Sequence, residues 1–172
     1  AYASSKNGNL DIYTCSPDAT GVKQLTVAYG VDTAPSWSPN GYQIAFTSDR
    51  SGNPQIYLMD ADGANQRRIT FETKYTDSPA WSPKGDKIAY MAMNETGRFD
   101  IWVINSDGSG ATKVTSMNGS SENPTWAPDG SMIAFTNSVG GKSDLYVVKP
   151  DGTRLRRVTT SGDIKMPDWS GY

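Results

Sequence analysis

Along the whole chain, short runs of alternating apolar and polar residues, rich in β-branched and aromatic side chains, are cut off by clusters of Gly, Pro, Asp and Asn. A period of two marks half-buried β-strands, and no stretch sustains the period of an amphipathic helix. The runs return in a fixed order. A Pro-x-Trp segment begins at Pro35, Pro79, Pro124 and Pro167, placing Trp37, Trp81, Trp126 and Trp169. The first three are followed by a Pro-x-Gly turn and then by Ile44-Ala45-Phe46, Ile88-Ala89-Tyr90 and Ile133-Ala134-Phe135. A third run reads Asp11-Ile12-Tyr13, Gln55-Ile56-Tyr57, Asp100-Ile101-Trp102 and Asp144-Leu145-Tyr146. A last short one ends in Leu25-Thr26, Ile69-Thr70, Val114-Thr115 and Val158-Thr159. The period is about 44 residues and occurs four times.

Four short antiparallel strands per unit at this period predict one β-propeller blade per repeat. The chain therefore reads as all-β, a single propeller domain over residues 1–172. Each tryptophan is expected between neighbouring blades, its indole N–H finding a carbonyl. A strand at 1–5 is expected to pair with one at 167–170 inside one blade, which would close a ring and hide both sheet edges. Cys15 stands where the other repeats carry Met59, Ile104 and Val148, which predicts a buried small hydrophobe.

The consensus Pro-x-Trp-Ser-Pro-x-Gly-x-x-Ile-Ala-Phe, then Ile-Tyr, Asp-Gly and Leu-Thr, resembles the WD40-like (PD40) repeat of the TolB family across essentially the whole chain. The stretch Ile44–Tyr57 and the ending Gly162–Ser170 carry the likeness most closely. Proteins of that family join an N-terminal α/β domain to a six-bladed propeller, and this chain resembles the last four blades. The resemblance implies a periplasmic protein of the Tol–Pal envelope system. Its propeller would bind a peptidoglycan-associated lipoprotein at the channel mouth, and an N-terminal region absent here would contact TolA. Similar repeats form the gating propellers of prolyl-oligopeptidase-type peptidases, which is the alternative reading. A propeller binding a sugar or a cation is a third. Interfaces shaped for six blades favour an excerpt of a larger ring, since four blades forced to close would leave wedge-shaped voids. Four blades alone would leave inner faces free for self-association.

Composition narrows the chemistry. The chain has no histidine, which excludes a Ser-His-Asp triad, a His-bearing zinc site and imidazole acid–base catalysis within it. Cys15 is its one cysteine, leaving no internal disulfide and no CxxC knuckle. These counts point to a protein without catalytic residues, metal or cofactor of its own. A formal charge of −2, from 16 basic and 18 acidic residues, offers no field for nucleic acid. No apolar run approaches the roughly 20 residues of a membrane span.

A binding surface is best sought in the loops that enter each Pro-x-Trp strand, at one mouth of the channel. Three carry a carboxylate, Asp32, Asp77 and Glu122, and the fourth carries Lys165. Thr33, Thr76 and Ser121 flank them, and Tyr75 and Tyr29 are candidate aromatic anchors. Carboxylates brought together on an axis would accept a basic side chain or a cation. Two look-alikes read as turns: Asp60-x-Asp62-Gly63 lacks the later ligands of a calcium loop, and Gly140-Gly141-Lys142-Ser143 has no helix behind it to receive phosphate. Arg67, Arg68, Arg154, Arg156 and Arg157 fall in outermost strands, where cations discourage strand addition.

Overall fold

The computed structural model describes residues 1–27 and 29–170; Ala28 and the last two residues of the expected 1–172 unit lie outside the described residues. The described residues form four antiparallel sheets. The first holds β1 (Tyr2–Ser4), β2 (Asp11–Thr14) and β3 (Lys23–Gln24). The second holds β4 (Asp32–Trp37), β5 (Gln43–Ser48), β6 (Gln55–Asp60) and β7 (Arg67–Arg68). The third holds β8 (Thr76–Trp81), β9 (Lys87–Met93), β10 (Phe99–Asn105) and β11 (Thr112–Lys113). The fourth holds β12 (Ser120–Trp126), β13 (Ile133–Val139), β14 (Lys142–Val148) and β15 (Arg156–Arg157). In each, strands lie side by side in chain order, as a propeller blade requires. No helix among the described residues is long and apolar enough to cross a membrane.

The repeat explains itself through the pleat. In Ile-Ala-aromatic the two large side chains share one face and the alanine takes the other. Ile44 and Phe46 join Ile12, Leu25, Tyr57 and Met59 between the first and second sheets. Ala45 turns the other way, into a cluster with Ile88, Tyr90 and Trp81 between the second and third. Ala89 in turn faces Ile133, Phe135 and Trp126 between the third and fourth. Large residues thus reach back to the preceding blade, and the small one leaves room for the next blade's tryptophan.

The closing threonine of each repeat ties the sheet edge inward. Thr26, Thr70, Thr115 and Thr159 accept the amides of Ile12, Ile56, Ile101 and Leu145 through their hydroxyls, at 2.9, 2.9, 2.9 and 3.0 Å. The same hydroxyls donate to Asp11, Gln55, Asp100 and Asp144, the residues that head the third run. Two-residue outer strands are thereby fastened by side chains where the backbone ladder is too short.

Trp126 donates its indole N–H to the Ala80 carbonyl of the preceding blade at 2.9 Å, and Trp169 reaches Thr125 in the same way at 3.3 Å. Trp81 is buried, but its indole nitrogen has no partner. Trp37 is 40% exposed, because the first sheet has no innermost strand for it to lie against. The expected pairing of 1–5 with 167–170 is not formed: β1 bonds to β2 alone, and residues 165–170 make no strand among the described residues. The sheets pack first on second, second on third and third on fourth, and among the described residues no comparable contact runs from fourth to first. They form an open arc.

Cys15 is exposed, against expectation. β2 stops at Thr14, so Cys15 lies just beyond it, while Met59, Ile104 and Val148 still belong to longer strands. The look-alike glycines Gly140 and Gly141 form the two-residue turn between β13 and β14, with φ of 59° and 81°. Two successive positive φ angles match the hand of a twisted hairpin, and glycine takes them without strain. The phenol oxygens of Tyr13 and Tyr90 are buried without a partner. Tyr90→Phe is therefore expected to stabilise the chain by about 1 kcal/mol, measured as a raised urea midpoint, whereas a loss of stability would reveal a hidden partner for the hydroxyl.

Candidate functional site

Each innermost strand is interrupted at the same place. Register slips between Thr33 and Ser36, Asp77 and Ala80, and Glu122 and Thr125, each slip falling just before or at the proline. The residue before that proline has a left-handed backbone every time: Ala34, Ser78, Asn123 and Met166, with φ of 48°, 55°, 55° and 47°. None is glycine, and a residue preceding proline ordinarily prefers extended backbone. A strained conformation repeated in every unit is a built feature, and such features gather at binding sites.

The bulge sorts the candidate residues. Counting back from the proline, Asp77 and Glu122 share a position with Thr33 and Lys165, and all four are at least partly exposed. Asp32 lies one residue earlier, in register with Thr76 and Ser121, and those three are buried. A one-residue offset turns a side chain to the other face of a strand. Asp32 accordingly meets Arg50 at 2.8 Å inside its own blade, Thr76 bonds the Thr70 hydroxyl, and Ser121 donates to Asn137. The three expected at the mouth serve the interior of the fold.

Those that remain at the surface fall into two groups. Asp77 accepts from the Thr47 hydroxyl of the preceding blade at 2.7 Å, from its neighbour's amide on Ser78, and from the Tyr75 phenol at 3.4 Å. Tyr75 leans edge-on against Phe99, with centroids 5.4 Å apart, and burial together with the Asp77 charge pushes its phenol pKa up. Tyr29 is fully exposed. Glu122 and Lys165 share a depression of about 250 Å³ with Asn123, Met166 and Thr136. They form no ion pair there, and partial burial raises the Glu122 pKa above the usual carboxylate range. A wider groove of about 870 Å³ is lined by Lys74, Met93, Trp102 and Lys113.

Sequence reasoning missed a second constellation. In the first, third and fourth sheets the acid heading the third run faces a side chain on the outermost strand. Asp11 takes a bond from Gln24 at 2.9 Å, Asp100 meets Lys113 at 3.8 Å, and Asp144 pairs with Arg157. The signal was a constant spacing of 13 residues between the two members. Lys113 and Arg157 thus hold buried carboxylates besides guarding an edge.

Bulged innermost strands, an Ile-Ala-aromatic pleat and threonine clasps, recurring blade after blade, coincide with a match of residues 1–172 to the family model described as the TolB beta propeller domain. The chain belongs to this family. Among solved structures it is similar to TolB from Acinetobacter baumannii, at 26% identity and a TM-score of 0.83, over 97% of this chain and 42% of that one. It is also similar to a putative TolB from Agrobacterium tumefaciens, at 23% identity and a TM-score of 0.80, over 88% of this chain and 57% of that one. The chain therefore spans about half or less of the TolB-type structures it matches. A structure from a study of two prolyl endopeptidases shares the fold alone, at 16% identity and a TM-score of 0.67 over 90% of this chain and 27% of that one. No curated protein sequence matches the chain.

Proposed function

We propose that this TolB-type segment is a non-enzymatic protein-binding propeller of the periplasmic Tol–Pal system, receiving a peptidoglycan-associated lipoprotein on the bulged ends of its innermost strands. The observation that carries this reading is the strained, non-glycine residue before each proline, which sets a polar or charged neighbour beside it on three innermost strands and once more in the segment after the fourth sheet. Asp77 and Glu122 would meet basic groups of the partner, Lys165 an acidic one, and Tyr75 would supply an aromatic contact. TolA would be contacted by parts of the protein outside this chain. The likeness to prolyl endopeptidases would support a gating role instead, but that likeness is one of fold.

The test is binding of the purified soluble domain of such a lipoprotein to the Asp77→Lys, Glu122→Lys double variant. Affinity should fall about tenfold or more because reversed charges on a rim repel a basic partner. Losing the bond from the Thr47 hydroxyl to Asp77 should lower the unfolding midpoint only modestly, and a retained cooperative transition shows that the variant is folded. Because Glu122 takes up a proton at higher pH than an ordinary glutamate, binding should also weaken earlier on acidification, and Glu122→Gln should remove that early loss. Equal affinities for parent and double variant would sink the proposed face.

A further inference from the structure

The pairing of third-run acid with outer-strand partner is broken once. In the second sheet the acid is replaced by Gln55, while the cation is kept as Arg68. Gln55 cannot compensate that charge. Its amide oxygen accepts from Thr70 at 2.8 Å and its amide nitrogen donates to the Thr73 carbonyl at 3.1 Å. Arg68 nevertheless is held in one pose. Its Nε donates to the Thr70 carbonyl at 2.5 Å, its guanidinium lies 4.6 Å from the centre of the Phe71 ring, and Nη1 only grazes the Ser51 hydroxyl at 3.5 Å. No carboxylate lies within ion-pair distance of it among the described residues.

The space beside it is a depression of about 300 Å³ that Asn53 and Lys74 also line. The matching depression of the fourth sheet, about 280 Å³, is filled electrostatically by Asp144 on Arg157. Glu72 lies on the rim of the Arg68 depression, its carboxylate accepting the Phe71 amide at 2.9 Å. Two cations against one acid leave the lining positive.

We propose that this depression binds a carboxylate group, which takes the place on Arg68 that Asp100 takes on Lys113 in the third sheet and Asp144 on Arg157 in the fourth. The guanidinium fork fits a carboxylate with two parallel hydrogen bonds, Lys74 adds charge, and the exposed Phe71 face, 68% accessible, receives the apolar part of whatever carries the group. The site does not rest on the binding face proposed above, since it uses neither Asp77 nor Glu122.

The experiment follows the Arg68 Nε–Hε resonance of the full chain by nuclear magnetic resonance. It is titrated with N-acetyl-L-glutamate, with a short capped peptide containing two glutamates, and with inorganic phosphate. A saturable shift with the carboxylate probes is expected, and stronger binding of the peptide than of the amino acid would identify a protein as the source. Gln55→Asp restores the sister-blade pair from within, so it should weaken the probes about tenfold or more while leaving the rest of the spectrum in place. Arg68→Gln should abolish the response of neighbouring amides, and Arg68→Lys should keep only part of it. Absence of a saturable shift in the parent, undiminished binding in Gln55→Asp, or phosphate binding as well as the carboxylates would each overturn the proposal. Retained carboxylate binding in the Asp77→Lys, Glu122→Lys variant would show that the two sites are separate, and its loss there would overturn the location.

Discussion

Replacing Arg50 by methionine is expected to destabilise the chain by about 3–5 kcal/mol, read as a fall in the urea midpoint at unchanged slope. The reason is Asp32. Its carboxylate is fully buried, one oxygen meets Arg50 at 2.8 Å, and the other has no partner among the described residues. Arg50 is held in turn by Gln66 and Ser48 and lies against the rings of Phe46 and Tyr57, with its charge 5.4 and 5.1 Å from their centres. Removing it strands a charge in the interior, where neither water nor another cation replaces it. Asp32→Asn should cost less, because the arginine keeps its ring contacts and some access to solvent. The double variant Asp32→Asn, Arg50→Met should be more stable than the sum of the singles predicts, since the uncompensated charge is gone. If Arg50→Met lay within about 1 kcal/mol of the parent, the pair would behave as a solvated surface contact and the buried description would be wrong.

The second large effect separates two tryptophans that occupy the same place in the repeat. Trp126→Ala is expected to cost about 3–5 kcal/mol and Trp37→Ala only about 1–2 kcal/mol. Trp126 is 8% exposed, belongs to the cluster between the third and fourth sheets, and gives its indole proton to Ala80. Trp37 is open on the side where a preceding innermost strand would lie. Chemical unfolding of the two variants side by side decides the matter. Equal losses would mean that Trp37 is covered in solution, either by a second molecule or by closure of the arc.

This contrast shows what a repeat pattern reveals and what it hides. Strand order, turns and the Ile-Ala-aromatic pleat were legible because they are local: each depends on residues within one hairpin. The burial of a given tryptophan depends on its neighbour blade, and identical letters at Trp37 and Trp126 carry no record of that. Asp32 was misplaced for a related reason. It sits in the same loop as Asp77 and Glu122 do in theirs, yet counted back from the proline it lies one residue earlier. The sequence already carried this one-residue offset, whose meaning is that the side chain turns inward. The acid–cation pairs escaped because their members lie on adjacent strands, and their shared spacing gains meaning only once the register is known. Glu122 and Lys165, expected at one channel mouth, line a common depression, and the binding test decides whether a partner enters there.

The left-handed residues before the prolines have a consequence for how such a surface changes over generations. The backbone at Ala34, Ser78, Asn123 and Met166 is the same, yet four different side chains occupy it. No hydrophobic cluster between the sheets includes any of the four. On the proposed reading of this face, substitutions here change what the rim presents one blade at a time, leaving the stability of the scaffold to other positions. On that reading, a change of partner needs no new fold, only a new spelling at these sites.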